Sequence, residues 1–148
     1  MVGFPGSGKT TYAKQTLLKI NPDWEYVSRD EVRYEYVSDQ EHYFDHEHEV
    51  YHEFCKRINM HLINCKTVIA DATHLTSNSR QKLLNSLTCI PEAVYVVVMM
   101  TPFDVCMERN AGRVGITRVP DKSMYRMKNS YQKPNAVFEP FDKVVYVK

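Results

Sequence analysis

The sequence predicts an α/β fold in three layers, with a mainly parallel β-sheet and helices on both faces. Segments with helical periodicity alternate with short β-branched runs along the 148 residues. The run at 93–100 is continuously apolar, as expected for a strand covered on both faces. The length and the 43% hydrophobic content are those of one compact domain, which we predict to span residues 1–148.

The predicted elements follow one another along the chain. The first helix runs over 9–20 and stops at Pro22, and a strand at 24–27 leads to a helix capped by Ser28, with Glu31 completing a capping box. The later predicted elements are a long helix at 41–65, a strand at 67–70 that ends at Asp71, a helix at 77–87, the strand at 93–100, a helix from Pro102 to near Gly112, a helix at 121–131 and a strand at 143–147. Only Met1 and Val2 precede the first glycine, so we expect that the chain start is truncated or misassigned, or that the first strand is supplied otherwise.

The strongest local pattern lies at residues 3–10, Gly-Phe-Pro-Gly-Ser-Gly-Lys-Thr, which matches G-x-x-x-x-G-K-[ST] in full. Glycines in such a loop let backbone N–H groups point at phosphate oxygens, and the N-terminus of the following helix adds partial positive charge. We predict that Lys9 reaches the outer phosphates and that the Thr10 hydroxyl is a ligand of Mg²⁺. The chain is therefore predicted to bind a nucleoside triphosphate.

Two acidic positions follow predicted strands. Asp30 and Arg33 share one face of a helix at the carboxyl-terminal edge of strand 24–27, where ligands bind in open α/β sheets. Asp30 would take the proton of an attacking hydroxyl there, and Arg33 would bind an acceptor phosphate; an ordinary surface ion pair explains the same two residues. Asp71 is expected close to Thr10, or else as the cap of the next turn.

A loop between two predicted helices is marked by Gly115 and Pro120, and Arg113 and Arg118 flank the glycine. We predict that this segment, about 112–120, is a mobile lid over the triphosphate. An arginine that neutralises the transition-state charge contributes about 10³–10⁵ in rate. The alternative for both arginines is simple exposure to solvent.

The charge distribution excludes some classes of protein. A net charge of +1 argues against a protein that coats nucleic acid through its global charge. Residues 39–53 carry six acidic and no Lys or Arg side chains, whereas 109–128 carry six basic and one acidic, which suits a polyanionic ligand or a solvated face. The longest apolar run is too short for a membrane helix, and the four cysteines form no Cys-x-x-Cys pair. We expect reduced, mostly buried thiols in a cytoplasmic protein without a membrane segment.

Residues 48–52 match H-E-x-x-H, the helical motif of zinc hydrolases. The surrounding segment is rich in His and Glu, and no third ligand follows at a recognisable spacing. A chance match, with His48 at the edge of the core, is therefore favoured over a zinc site. Three tyrosines are candidates either for packing or for stacking on bases: Tyr34, Tyr36 and Tyr43.

In order and spacing, several segments resemble the 5′-kinase domain of the phage polynucleotide kinase family. They are the loop at 3–10, Ser-Arg-Asp-Glu-Val-Arg at 28–33, Val-Ile-Ala-Asp at 68–71, Arg-Asn-Ala-Gly-Arg at 109–113, Val-Pro at 119–120 and Ser-Met-Tyr at 123–125. The resemblance covers nearly the whole chain. It implies that Asp30 is the general base on the 5′-hydroxyl, that Arg33 holds the acceptor phosphate, that Asp71 organises the site, and that Arg113 contacts the donor phosphates.

The resemblance implies a P-loop kinase that moves the γ-phosphate of ATP, with Mg²⁺, to the 5′-hydroxyl end of a polynucleotide. The implied catalytic residues are Lys9, Asp30 and Arg113, and the substrate-binding residues are Arg33 and Asp71. The candidate nucleotide-binding residues are Gly3, Pro5, Gly6, Ser7, Gly8, Lys9, Thr10, Thr11 and Arg109, with Thr10 also the metal ligand. Two alternatives stay open: a P-loop kinase acting on a small-molecule alcohol, and a non-catalytic nucleotide-binding module.

Overall fold

The computed structural model describes residues 1–39 and 41–148. The strands within this part of the chain form two parallel pairs, β1 with β2 and β3 with β4. Their bounds are β1 (Glu25–Ser28), β2 (Val68–Asp71), β3 (Tyr95–Met99) and β4 (Lys143–Val147). The parallel α/β class predicted from the sequence is confirmed.

Residues 1–3 lie between the two strand pairs. Val2 forms a parallel bridge to Val98 of β3. On the other side, the Gly3 N–H donates to the carbonyl of Thr73, just after β2, over 3.1 Å. The order across the sheet is therefore β1, β2, residues 1–3, β3 and β4, with an isolated bridge where a full central strand would lie.

The helices alternate with the strands as predicted. Residues 9–20 form one helical segment made of α1 (Lys9–Tyr12), a π-helical stretch (Ala13–Leu17) and α2 (Leu18–Ile20). The remaining helical elements are α3 (Arg29–Tyr36), α4 (Glu47–Ile63), α5 (Ser77–Asn85), α6 (Phe103–Ala111), a 3₁₀ turn (Gly115–Thr117) and α7 (Asp121–Ser130). Every predicted boundary except the start of the long helix lies within two residues of the observed one.

The long helix is the main correction to the predicted elements. It begins at Glu47, and residues 41–46 form turns, whereas the sequence predicted helix from residue 41. The cause is Tyr43, which is buried and accepts a hydrogen bond from Arg33 Nη1 over 3.1 Å. This contact draws the chain toward α3 before α4 begins. Phe44, an apolar residue within the predicted helix, is 40% exposed.

The capping prediction for α3 is half correct. Ser28 Oγ accepts from the Glu31 N–H over 3.3 Å, as an N-cap does. The Glu31 carboxylate does not return to the cap, however, because it pairs with Lys14 of the π-helical stretch at 2.6 Å. The same contact ties the first helical segment to α3.

Three hydrophobic clusters hold the layers together. The first lies between α4 and the β1–β2 pair, the second surrounds residue 2 and β3, and the third lies beneath the loop at 3–8. Their buried members are Val27, Phe54, Cys55, Ile58 and Ala72; Val2, Val96, Val98 and Phe141; and Tyr43, Cys106, Val119 and Met124. The third cluster joins the turn before α4 to α6 and α7, elements that are distant in sequence.

The four cysteines are free thiols. Cys55 and Cys106 are buried, Cys89 is partly buried and Cys65 is exposed, so the expected burial holds for half of them. None of the helices in the described residues is long and apolar enough to cross a membrane.

Candidate active site

The loop at residues 3–8 needs glycine at two positions. Gly6 and Gly8 have φ angles of 82° and 89°, in the left-handed region that side chains rarely adopt. A Cβ on Gly6 would lie 2.7 Å from the Cys106 carbonyl oxygen of α6. The loop therefore packs directly against the α6 backbone, and Gly8 caps the first helix.

Side chains from beyond β3 brace the loop from outside. Thr101 Oγ1 donates to the Ser7 carbonyl over 2.9 Å, and Arg109 Nη1 donates to the Gly6 carbonyl over 3.2 Å. Pro5 is buried within the loop, and Thr11 is exposed on α1. Arg109 thus lies against the loop, and its role in binding the nucleotide stays a prediction.

Lys9 is held over the loop. Its Nζ donates to the carbonyls of Gly3 and Phe4, each over 2.9 Å. Burial lowers the pKa of Lys9 below its usual value; the charges of Asp71 and Asp30 act to raise it, and that of Arg113 acts to lower it. Three predicted site residues from three other segments, Asp71, Asp30 and Arg113, therefore influence the charge of this one ammonium group.

Thr10 and Asp71 are in direct contact. Thr10 Oγ1 donates to Asp71 Oδ2 over 2.7 Å, and the Tyr26 hydroxyl donates to the same oxygen over 2.7 Å. Burial, together with the negative charge of Asp71, raises the pKa of Tyr26. Sequence reasoning missed Tyr26. The available indication was that Tyr26 lies two residues before Ser28 and therefore on the same face of β1.

The Thr10–Asp71 contact fits a Mg²⁺ site. Asp71 Oδ1 is buried and, among the described residues, has no hydrogen-bond partner. A buried carboxylate oxygen without a donor is costly unless a cation takes that place. Mg²⁺ prefers oxygen ligands, and the hydroxyl of Thr10 and the free oxygen of Asp71 would supply them.

Asp30 and Arg33 lie on α3, which the Lys14–Glu31 ion pair ties to the helical segment after the loop. Arg33 has a side chain only 6% exposed, and its Nη1 donates to Asp30 Oδ1. The Asp30 side chain is 56% exposed. The ring of Tyr43 lies under the Arg33 guanidinium at 4.6 Å, a cation–π contact. The arginine is therefore buried and fixed, while the carboxylate faces solvent.

Glu47 anchors this arrangement, and sequence reasoning missed it. Its Oε1 accepts from Arg33 Nε over 2.9 Å and from Nη2 over 2.6 Å, and its Oε2 accepts from Arg29 Nη2 over 2.6 Å. Glu47 is one of six acidic residues in 39–53, and no spacing distinguishes it from the others. The available signal was a pair of arginines one helical turn apart, Arg29 and Arg33, which need a shared carboxylate if they are buried.

The predicted lid connects α6 to α7. Arg113 is half-buried, and its Nη1 donates to the Thr117 carbonyl over 3.3 Å. Asn110, fully buried, donates to the Val119 carbonyl over 2.7 Å and accepts from the Val119 N–H over 3.0 Å. Arg118 pairs with Asp121 at 3.5 Å. The two ends of the segment are thus fixed to each other, while residues 114 and 115 are exposed.

The remaining candidates lie apart from this centre or at its rim. His48 and His52 are exposed on α4, so His48 is not at the core edge. Within residues 1–39 and 41–148 no group of three or more His, Cys, Asp or Glu side chains is placed to hold a metal ion. Tyr34 and Tyr36 are 38% and 42% exposed on α3, and Tyr43 is buried rather than available for stacking.

Three comparisons with known proteins bear on this site. A family model described as an AAA domain matches residues 1–134. No curated protein matches the chain. Among solved structures, the chain is similar to Chaetomium thermophilum Kti12 in complex with ADP-AlF3, with a TM-score of 0.67 and 17% identity over 99% of this chain and 86% of that one. At this identity the similarity shows the fold, which is an α/β P-loop fold.

Proposed function

Because the chain belongs to the AAA domain family and is a nucleotide-binding P-loop domain, we propose that it is an ATP-dependent kinase acting on the 5′-hydroxyl end of a polynucleotide. The observation that carries the proposal is the solvent-facing Asp30 carboxylate, held by the buried Arg33 on α3, the helix that the Lys14–Glu31 ion pair ties to the helical segment after the loop. A phosphate-binding loop alone serves many functions. A solvent-facing carboxylate opposite the loop and an arginine beside it are what a phosphoryl transfer needs in addition.

The donor side would bind the triphosphate of ATP. Backbone N–H groups of residues 6–10 and the Lys9 ammonium would bind its phosphate oxygens. Thr10 and Asp71 would hold Mg²⁺, which when bound neutralises charge on the phosphates. Arg113 would neutralise charge on the transferring γ-phosphoryl group.

The acceptor side would supply the base. Asp30 would take the proton of the 5′-hydroxyl as that oxygen bonds to the γ-phosphorus and the bond to the ADP oxygen breaks. ADP leaves with the electron pair of the broken bond. Asp30 faces solvent, so an acceptor can reach its carboxylate without a rearrangement of the core.

Arg33 would bind the phosphate on the 3′ side of the acceptor nucleotide. Its Nη1 is now bonded to both Asp30 and Tyr43. We propose that the incoming phosphate replaces Asp30 at Nη1. The exchange would release the carboxylate for proton transfer at the moment an acceptor arrives, while Glu47 keeps the guanidinium in place.

Residues 1–148 would act as one domain, with residues 112–120 as a lid over the triphosphate. The lid carries Arg113 at one end and is fixed at the other by the Asn110–Val119 hydrogen bonds. Its exposed middle, with Gly115 at a φ of 56°, would move while both ends stay in place.

The test is transfer of labelled γ-phosphate from ATP, with Mg²⁺, to an oligonucleotide with a 5′-hydroxyl. Asp30→Asn should lower the rate by about 10²–10⁴ while ATP still binds, because it removes only the base. Asp23→Asn is the matched control, since Asp23 is an exposed aspartate before β1, at the opposite edge of the sheet. Label on small alcohols alone would establish a small-molecule kinase. Bound ATP with no transfer to any acceptor would establish a non-catalytic module.

A further inference from the structure

The Tyr26 hydroxyl is bonded to the carboxylate that would hold Mg²⁺. It donates to Asp71 Oδ2 over 2.7 Å, and the same oxygen accepts from Thr10 Oγ1 over 2.7 Å. We propose that Tyr26 is a positioning residue of the metal site, which orients the Asp71 carboxylate so that Oδ1 stays free to bind Mg²⁺. The inference rests on the metal site of the proposed function and adds a residue that belongs neither to the loop motif nor to the acceptor side.

The pairing of β1 with β2 brings the tyrosine to Asp71. The two strands run parallel, with Ser28 opposite Asp71 and Tyr26 opposite Ile69. Alternate residues of a strand lie on the same face, so Tyr26 and Ser28 share the face on which Asp71 lies. The Tyr26 side chain therefore crosses diagonally from β1 to the carboxyl end of β2. Because both residues belong to paired strands, the sheet sets the separation of the hydroxyl and the carboxylate.

The hydrogen bonds at Asp71 are divided unevenly between its two oxygens. Oδ2 accepts from two donors, whereas Oδ1 is buried and has no hydrogen-bond partner among residues 1–39 and 41–148. Rotation of the carboxylate would exchange the two oxygens and break both bonds, so two donors on one oxygen oppose it. Thr10 is itself a candidate metal ligand, and Tyr26 is the donor that is not. Tyr26 can therefore hold Oδ2 without competing for the cation.

Lys14 holds the ring of Tyr26 in place. Its Nζ lies 4.8 Å from the ring centroid, a cation–π contact, and the same ammonium pairs with Glu31 of α3 at 2.6 Å. A phenol hydroxyl is protonated at neutral pH, so it donates to the carboxylate rather than accepting from it. A held ring and a donating hydroxyl are the properties of a residue that orients a metal ligand from behind.

The test measures how Mg²⁺ strengthens the binding of ATP. Tyr26→Phe removes only the hydroxyl oxygen and keeps the ring beneath Lys14. Calorimetry gives the Kd of ATP over a range of Mg²⁺ concentrations and in EDTA. Loss of a group that orients a metal ligand lowers metal affinity by about 10–100-fold. We expect the Mg²⁺ concentration that gives half of the gain in ATP affinity to rise by about that factor, with the Kd of ATP in EDTA unchanged.

Tyr51 of α4 provides a matched control. Its ring lies beneath Lys82 Nζ at 4.3 Å, and its hydroxyl lies 3.3 Å from Ser86 Oγ. Tyr51→Phe therefore also removes a bonded hydroxyl from a tyrosine under a lysine, and it should leave ATP binding unchanged with and without Mg²⁺. An equal loss of ATP affinity in Mg²⁺ and in EDTA for Tyr26→Phe would show a merely structural role and overturn the proposal. No change in Tyr26→Phe, or the same change in both variants, would also overturn it.

Mn²⁺ gives a direct readout that does not depend on catalysis. Mn²⁺ takes oxygen ligands in octahedral geometry as Mg²⁺ does, and electron paramagnetic resonance measures its binding to the protein with ATP. Tyr26→Phe should raise the Kd of Mn²⁺ by about 10–100-fold, and Tyr51→Phe should not. If the wild type transfers phosphate to no acceptor, the kinase proposal falls, and this difference between the two variants still decides the role of Tyr26. If the protein with ATP binds no more Mn²⁺ than ATP alone, the metal site is refuted and the role of Tyr26 with it.

Discussion

Replacing Glu47 with glutamine removes the negative charge that Arg29 and Arg33 share. Arg33 is 6% exposed and donates two hydrogen bonds to Glu47, of 2.9 and 2.6 Å. Loss of one partner from a buried ion pair costs about 3–5 kcal/mol. Glu47 itself is 31% exposed, and glutamine keeps one acceptor oxygen, so we expect Glu47→Gln to lower the free energy of unfolding by about 2–3 kcal/mol.

The same change should slow phosphate transfer. Arg33 positions Asp30, and without the Glu47 carboxylate Arg33 is itself no longer held in place. A misplaced catalytic group costs up to about 100-fold in rate, so kcat should fall by about 10- to 100-fold with little change in ATP affinity. Urea unfolding and the transfer assay measure the two effects. Glu49→Gln is the control: Glu49 is 53% exposed and lies 3.8 Å from His46, so its loss should cost less than about 0.5 kcal/mol. A Glu47→Gln protein as stable as Glu49→Gln would refute the reasoning.

Three further predictions concern stability and the loop. Burial lowers the pKa of His74 to about 3 from 6.5, so the unfolded chain takes up the proton first as the pH falls. The free energy of unfolding should therefore drop by up to about 1.4 kcal/mol per pH unit below 6.5, and His74→Asn, which tolerates a φ of 44°, should reduce that slope in urea titrations. Arg80→Met leaves Glu139 buried and unpaired, and should cost about 3–5 kcal/mol in thermal unfolding without changing ATP affinity. Gly6→Ala places a Cβ 2.7 Å from the Cys106 carbonyl and should abolish ATP binding in calorimetry, whereas Gly112→Ala, where the nearest atom is 3.7 Å away, should not.

The fold was predictable because its signals are local. The alternation of periodic helices and β-branched strands located β4 at 143–147 without error. The start of α4 was not predictable in this way, because residues 41–46 have the apolar spacing of a helix. Their conformation depends on the contact of Tyr43 with Arg33, which is a tertiary interaction that no periodicity records.

Within the candidate site, too, some features follow from local sequence and others depend on tertiary contacts. On the donor side, residues 3–10 are contiguous, and the predicted roles of Lys9 and Thr10 follow from their positions in the motif. On the acceptor side, Arg33 meets Glu47 across 14 positions. Outside the motif on the donor side, Tyr26 meets Asp71 across 45 positions. No characteristic spacing in the sequence identifies such pairs. Glu47 and Tyr26 were therefore identified from the structure alone.

The balance of charge also differs between the two sides, and this difference constrains how an acceptor binds. Around the loop, Lys9, Arg109 and Arg113 face one carboxylate, Asp71, so the donor side has spare positive charge for a polyphosphate. On α3 the two arginines are matched by Asp30 and Glu47. An anionic acceptor there must displace a carboxylate and gains little net attraction in doing so. Most of the affinity for a polynucleotide must then come from cations outside this α3 cluster.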